Sequence, residues 1–69
     1  MKSYTIIGSQ GCKYCDLARE DLSAMGEYVI YHDIFADRAM KTLLQMAGFS
    51  TVPQVFSPEG LHIGGYSDL

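Results

Sequence analysis

Two stretches with helical spacing of apolar residues alternate with four short β-prone runs, and this alternation limits the chain to an α/β fold built on one mixed sheet. Residues 3–7 carry Tyr4, Thr5, Ile6 and Ile7, a β-prone run that stops at Gly8. Gly8-Ser9-Gln10-Gly11 is turn material. Over 13–25 the period becomes helical, with Leu17, Ala18, Leu22 and Met25 gathered on one face and Gly26 following as a left-handed stop. Residues 28–34 predict a second strand with Val29 and Ile30 in the core. Residues 37–47 predict a second helix whose Met40, Leu43, Leu44 and Ala47 fall at core spacing, ended by Gly48. Residues 53–56 and 61–63 predict two further strands joined in a hairpin by Ser57-Pro58-Glu59-Gly60. The order β-α-β-α-β-β requires a parallel first pair with a right-handed crossover and an antiparallel last pair. Gly64-Gly65-Tyr66-Ser67-Asp68-Leu69 has the look of the entrance to another helix, with Ser67 or Asp68 as its cap, yet no helix follows in the sequence. The expectation is therefore a sheet with one face open unless a second chain, in a dimer, or a repacked helix covers it.

With 69 residues the core must be thin, and chains this short lean on a disulfide, a metal, a partner or very regular packing. Hydrophobic content of 48% against 19% charged residues predicts one folded domain over 1–69 rather than disorder. The net charge is −3 with the acids scattered, so no basic stripe is present to hold a nucleic-acid backbone. No apolar stretch approaches the length of a membrane span, and Met1-Lys2-Ser3-Tyr4 does not lead into a signal core. The expected compartment is the cytoplasm.

Two cysteines are too few for a disulfide scaffold, and three positions apart they constrain the unfolded chain very little. In a reducing compartment that spacing points to thiol exchange or to metal binding. Cys12 falls where a strand end turns into a helix, and the unpaired N–H groups and dipole of a helix N-terminus lower a thiol pKa from about 8.5 to roughly 3.5–7.5. Cys15, one turn on, shares a face with Ala18 and Leu22 and should be the less exposed. That asymmetry makes Cys12 the nucleophile and Cys15 the resolving thiol. Two alternatives stand beside this one: an inert buried pair, or half of a zinc site completed by His32 and His62 or by a second chain. The histidines lie singly in strand patterns and read as ordinary strand residues, so no metal site is assigned.

Cys12-Lys13-Tyr14-Cys15, Thr51-Val52-Pro53-Gln54-Val55-Phe56 and Ile63-Gly64-Gly65-Tyr66-Ser67-Asp68 together resemble the glutaredoxins, especially the small dithiol forms of bacteria and phages. The resemblance runs from about Tyr4 to the last residue. It implies a thioredoxin-like fold, a cis peptide bond before Pro53, and glutathione as reducing co-substrate in a groove beside the nucleophile. The residues it implicates in glutathione binding are Lys13, Tyr14, Thr51, Val52, Pro53, Gly65, Ser67 and Asp68. Val52 would pair with the tripeptide backbone, Tyr14 would wall the groove, and Gly64 and Gly65 would let the ligand approach. The Ser67 and Asp68 amides would meet the γ-glutamyl carboxylate, and the Asp68 carboxylate its ammonium group. Two departures stand out. Lys13 replaces the family's proline and brings a charge that helps hold a thiolate. Ser9 stands where many members have a basic residue, leaving Lys13, Arg38 or Lys41 as substitutes. The implied function is glutathione-dependent reduction of protein disulfides or glutathione mixed disulfides, with ribonucleotide reductase as a protein acceptor. The alternatives are a dimer carrying a glutathione-ligated iron–sulfur cluster, an electron donor recharged by a thioredoxin reductase, and a domain acting only through protein contact.

Overall fold

The computed structural model describes residues 2–69. Strand β1 (Tyr4–Gly8) is central because its aromatic and β-branched side chains suit a strand paired on both sides. It runs parallel to β2 (Val29–Asp33), with Ile6 opposite Tyr31, and antiparallel to β3 (Gln54–Phe56), with Ile6 opposite Val55. Strand β4 (His62–Gly64) pairs antiparallel with β3, completing a four-stranded sheet in the order β2-β1-β3-β4. Helix α1 (Lys13–Ala24) connects β1 to β2, helix α2 (Arg38–Met46) precedes β3, and a short 3₁₀ turn (Tyr66–Asp68) follows β4. The mixed sheet with flanking helices is the thioredoxin-like arrangement expected.

Ile6 and Ile7 are neighbours on β1, so they point to opposite faces, and both are buried. On the Ile6 face, Ala18 and Leu22 of α1 close the core with Val55, and Tyr4, Val29, Tyr31 and Ile63 pack around it. On the Ile7 face, α2 is held at both ends. Asp37, its N-cap, lies 3.6 Å from His32 Nδ1, and Phe49, just past its C-terminus, stacks on His62 with ring centroids 4.5 Å apart. Both helices stop by the same device. Gly26 and Gly48 take positive φ values of 81° and 83°, open to a residue without Cβ. Their N–H groups return to Ser23 and Gln45, and the next amides, of Glu27 and Phe49, return to Leu22 and Leu44 at 3.0 and 2.9 Å. The second of these turns throws Phe49 under the loop that carries Thr51 and Val52.

Several expectations change. Ile30 is 50% exposed because β2 is an edge strand with a neighbour on one side only. Leu43 is 55% exposed, since α2 is short and buries its Leu44 instead, with Met40 half-covered and Ala47 outside. Met25 is the C-cap of α1, where the chain already leaves the sheet, and it too is exposed. Neither Ser67 nor Asp68 caps a helix: both lie inside the 3₁₀ turn, whose N-cap position is Gly65. On the α1 face Tyr4, Val29 and Ile63 are partly buried against the core.

Replacing Leu22 by Ala removes side-chain volume from the centre of the α1 contact and should cost about 2–5 kcal/mol in urea unfolding. Leu43→Ala, at an exposed position of α2, should stay within about 0.5 kcal/mol. Equal losses would contradict the observed facing of α2.

Candidate active site

β1 ends at Gly8, and the chain turns through residues 9–11 into α1, with the Cys12 N–H donating to the Ser9 carbonyl at 3.3 Å. Cys12 is the N-cap of α1. Its backbone is extended, at φ −91° and ψ 111°, and its sulfur accepts the Cys15 N–H at 3.2 Å. A cysteine thus occupies the place where serine, threonine or aspartate usually satisfies the first free amides of a helix. The same amide and dipole favour a negative sulfur there once the pair is reduced. Cys12 and Cys15 are joined as a disulfide, with Cα atoms 5.2 Å apart. Cys12 is half-buried and Cys15 fully buried, the order of exposure expected from the helix face.

Behind Cys15 the space is tight. A Cβ on Gly8 would lie 2.9 Å from Cys15 Sγ and would also collide with the Tyr31 hydroxyl, so only glycine fits at the end of β1. Tyr31 donates to the Ser9 carbonyl at 3.4 Å, and the Arg19 guanidinium lies 4.5 Å from its ring centre. Burial pushes the Tyr31 phenol above its ordinary pKa, the Arg19 charge pulls it back, and Asp16 and Asp33 add to the rise.

In front, Cys12 Sγ lies 3.9 Å from the Val52 carbonyl oxygen, and the Val52–Pro53 peptide bond is cis. From this point runs a groove of about 300 Å³ lined by Tyr14, Thr51, Val52, Pro53, Gly65, Tyr66 and Ser67. Six of the eight residues assigned to ligand binding from the sequence therefore border one groove, and the Cys12 sulfur lies beside its Val52 end. Tyr14 forms one wall, its ring 5.7 Å from that of Tyr66. Gly65 faces Pro53 across the groove: a Cβ there would meet the Pro53 carbonyl at 3.7 Å.

Lys13 and Asp68 stand outside this lining. Lys13 is exposed in the first turn of α1. One Asp68 carboxylate oxygen accepts the Gly65 N–H at 3.0 Å, and the Asp68 N–H returns to the Gly65 carbonyl at 3.1 Å. The turn thus already uses the Asp68 amide. None of the three candidate cations lines the groove itself. Lys41 lines an adjoining cleft of about 510 Å³ that shares Thr51 and Val52 with it, whereas Arg38 borders the next depression along α2.

Tyr66 was not singled out from the sequence, although it sits inside Gly-Gly-Tyr-Ser-Asp, and it proves to be both a groove wall and a tether. Its hydroxyl donates to Asp21 Oδ2 at 2.8 Å, tying the turn after β4 to α1. That hydrogen bond is the main reason its phenol is pushed above the ordinary tyrosine pKa.

A glutaredoxin family model matches residues 3–63. The glutaredoxin of Enterobacteria phage T4 is 35% identical over 69 aligned positions, covering 84% of this chain and 79% of the phage protein. Reduced Escherichia coli glutaredoxin is 41% identical with a TM-score of 0.66, over 96% of this chain and 86% of the other. A buckwheat glutaredoxin–glutathione complex superposes with a TM-score of 0.78 at 27% identity, covering 97% of this chain. The chain spans 64% of the buckwheat protein's length.

The Tyr66–Asp21 hydrogen bond needs the phenol proton, so its tether is present below the ordinary tyrosine pKa of about 10 and lost as pH rises through the raised value. An absorbance titration of tyrosinate should show a component above that ordinary value which Tyr66→Phe removes in part. An unchanged curve in the variant would count against the tether.

Proposed function

The chain belongs to the glutaredoxin family, and from that premise we propose that it is a glutathione-dependent thiol–disulfide oxidoreductase acting through Cys12 and Cys15, with residues 1–69 as one working domain. The observation that carries the proposal is the position of the Cys12 sulfur, which caps a helix on one side and lies at the end of the Val52 groove on the other.

In the reduced pair the Cys12 thiolate attacks one sulfur of a disulfide. On a glutathione mixed disulfide it takes the glutathionyl sulfur and releases the protein thiolate, which picks up a proton. A second glutathione thiolate then attacks the glutathionyl sulfur, giving glutathione disulfide and restoring the Cys12 thiolate. On a protein disulfide, Cys12 forms the mixed disulfide and Cys15 attacks Cys12, releasing the reduced protein and leaving the Cys12–Cys15 bond seen here. Two glutathiones then reduce that bond. Incoming thiols meet Cys12 rather than Cys15 because only Cys12 reaches the surface.

The groove suits an extended tripeptide lying beside the nucleophile. The Val52 backbone is free for it, as no other backbone group among the described residues bonds to Val52. Tyr14, Thr51, Pro53, Gly65 and Ser67 wall it, and Asp68 keeps its second carboxylate oxygen for an ammonium group. Lys41, from the adjoining cleft, supplies the charge for the glycyl carboxylate that Ser9 does not, and Lys13 contributes to holding the thiolate. A reducing compartment such as the cytoplasm suits this chemistry, and among the described residues no helix is long and apolar enough to cross a membrane. Ribonucleotide reductase, through the family resemblance, is a candidate protein acceptor.

Turnover of a small glutathione mixed disulfide tests the proposal. Cys12→Ser should abolish it, and Cys15→Ser should retain it while losing reduction of protein disulfides. Equal loss in both variants would contradict the assigned roles. Lys41→Ala should raise the KM for the glutathionyl substrate by about two- to fivefold, an effect that shrinks as salt is added. A KM unchanged at low salt would remove Lys41 from the site.

A further inference from the structure

Beneath the groove runs a line of polar contacts that the exchange chemistry does not use. Gln54, first residue of β3, is only 6% exposed, and its amide nitrogen donates to the Thr51 carbonyl at 2.9 Å and to Thr51 Oγ1 at 3.2 Å. A carbonyl can only accept, so the Gln54 nitrogen must face Thr51 and its oxygen must face the other way. There Oε1 lies 2.7 Å from His62 Nε2. That nitrogen therefore carries a proton, in the neutral ring as much as in the charged one. The imidazole is held for this contact by two aromatic rings, Phe49 and Phe56, with centroids 4.5 and 5.1 Å away.

The placement matters because both groove walls leave the sheet here. Thr51, Val52 and Pro53 lead into Gln54 at the start of β3, while Gly65 to Ser67 leave the end of β4, which begins at His62. Between β3 and β4 the register shifts at Val55 and Phe56, so the backbone ladder alone does not define the spacing of the two walls at that end. The side-chain bond from His62 to Gln54 spans the same two strands and passes directly to Thr51.

We infer that His62, acting through Gln54, is a positioning residue that holds Thr51 and Val52 at the spacing a bound glutathione requires. The inference rests on the glutathione reading above. His62 touches neither groove nor sulfur, and its contribution is to substrate affinity rather than to the exchange step. Without its donor, the buried Gln54 oxygen loses its partner, the amide is freed to turn, and Thr51 loses two hydrogen bonds together.

Two variants separate the hydrogen bond from the packing. His62→Phe keeps a ring between Phe49 and Phe56 but has no donor. His62→Gln gives up the ring and keeps a terminal N–H donor of similar reach. The exposed turn variant Glu59→Gln is the control. Each is assayed for turnover of a glutathione mixed disulfide, for thermal midpoint, and by NMR for hydrogen exchange of the Gln54 side-chain amide, the group that donates to Thr51, in the ligand-free protein. Expected for His62→Phe is a KM raised about three- to tenfold with kcat within about twofold, and faster exchange at the Gln54 side-chain amide. His62→Gln should keep KM within about twofold of the parent even though its midpoint falls. The inference is overturned if His62→Phe leaves KM and exchange at parental values, or if KM in the two variants simply follows lost stability. A parent protein inactive with glutathione overturns the glutathione reading instead. The exchange rates then decide the brace alone, and equal rates in parent and His62→Phe overturn it.

Discussion

The contact on which the site depends is the 3.2 Å hydrogen bond from the Cys15 amide to the Cys12 sulfur. A helix beginning here would leave free N–H groups pointing into the loop, and the chain satisfies one of them with a sulfur rather than an oxygen. On the proposed assignment the cap and the nucleophile are the same atom. Stability of the first helical turn and stability of the thiolate are therefore one quantity, and the next cysteine falls one turn along, on the buried side, because helical spacing puts it there.

Much of this was legible in the sequence because it follows from local rules. Periodicity located both helices and all the strands, and the glycines after Met25 and Ala47 marked both helix ends. What the periodicity missed was how much each apolar position is covered. Leu43 and Ile30 fit the pattern of a core face, but α2 is short and β2 lies at the edge, and neither fact is written in the residues themselves. Coverage is a property of neighbours, so it waits for the topology.

The candidate site divides in the same way. Cys12, Cys15 and the Thr51-Val52-Pro53 segment lie in contiguous motifs and could be read directly. Tyr66 and Tyr31 make contacts that bridge distant parts of the chain, Tyr66 to Asp21 on α1 and Tyr31 to the Ser9 carbonyl, and Lys41 lines a cleft together with Thr51. The sequence offered three cations for one role without ranking them. The fold separates two of them: Lys41, one turn past Arg38 on α2, lines the cleft that also contains Thr51 and Val52, and Arg38 does not.

On the proposed glutathione-dependent reading, the Cys12–Cys15 couple must lie close to glutathione in energy. Glutaredoxin potentials of about −200 to −230 mV stand near the extracted cytosolic glutathione poise of about −220 to −260 mV, and a gap of about 30 mV is only about 1.4 kcal/mol. A hydrogen bond to a charged group contributes about 1.5–3 kcal/mol. The single Cys15 N–H bond to Cys12 is thus of the same size as the whole gap over which the pool can drive the pair either way. Strengthening the cap would favour the dithiol and make the protein a poorer reductant, while removing it would leave Cys12 protonated more of the time. The burial of Cys15 acts differently: it keeps incoming thiols away from that sulfur and leaves Cys12, one turn back, as its partner. One half-buried capped sulfur and one fully buried sulfur on the same helical turn are the arrangement that the proposed exchange needs, opened at Cys12 and closed by Cys15.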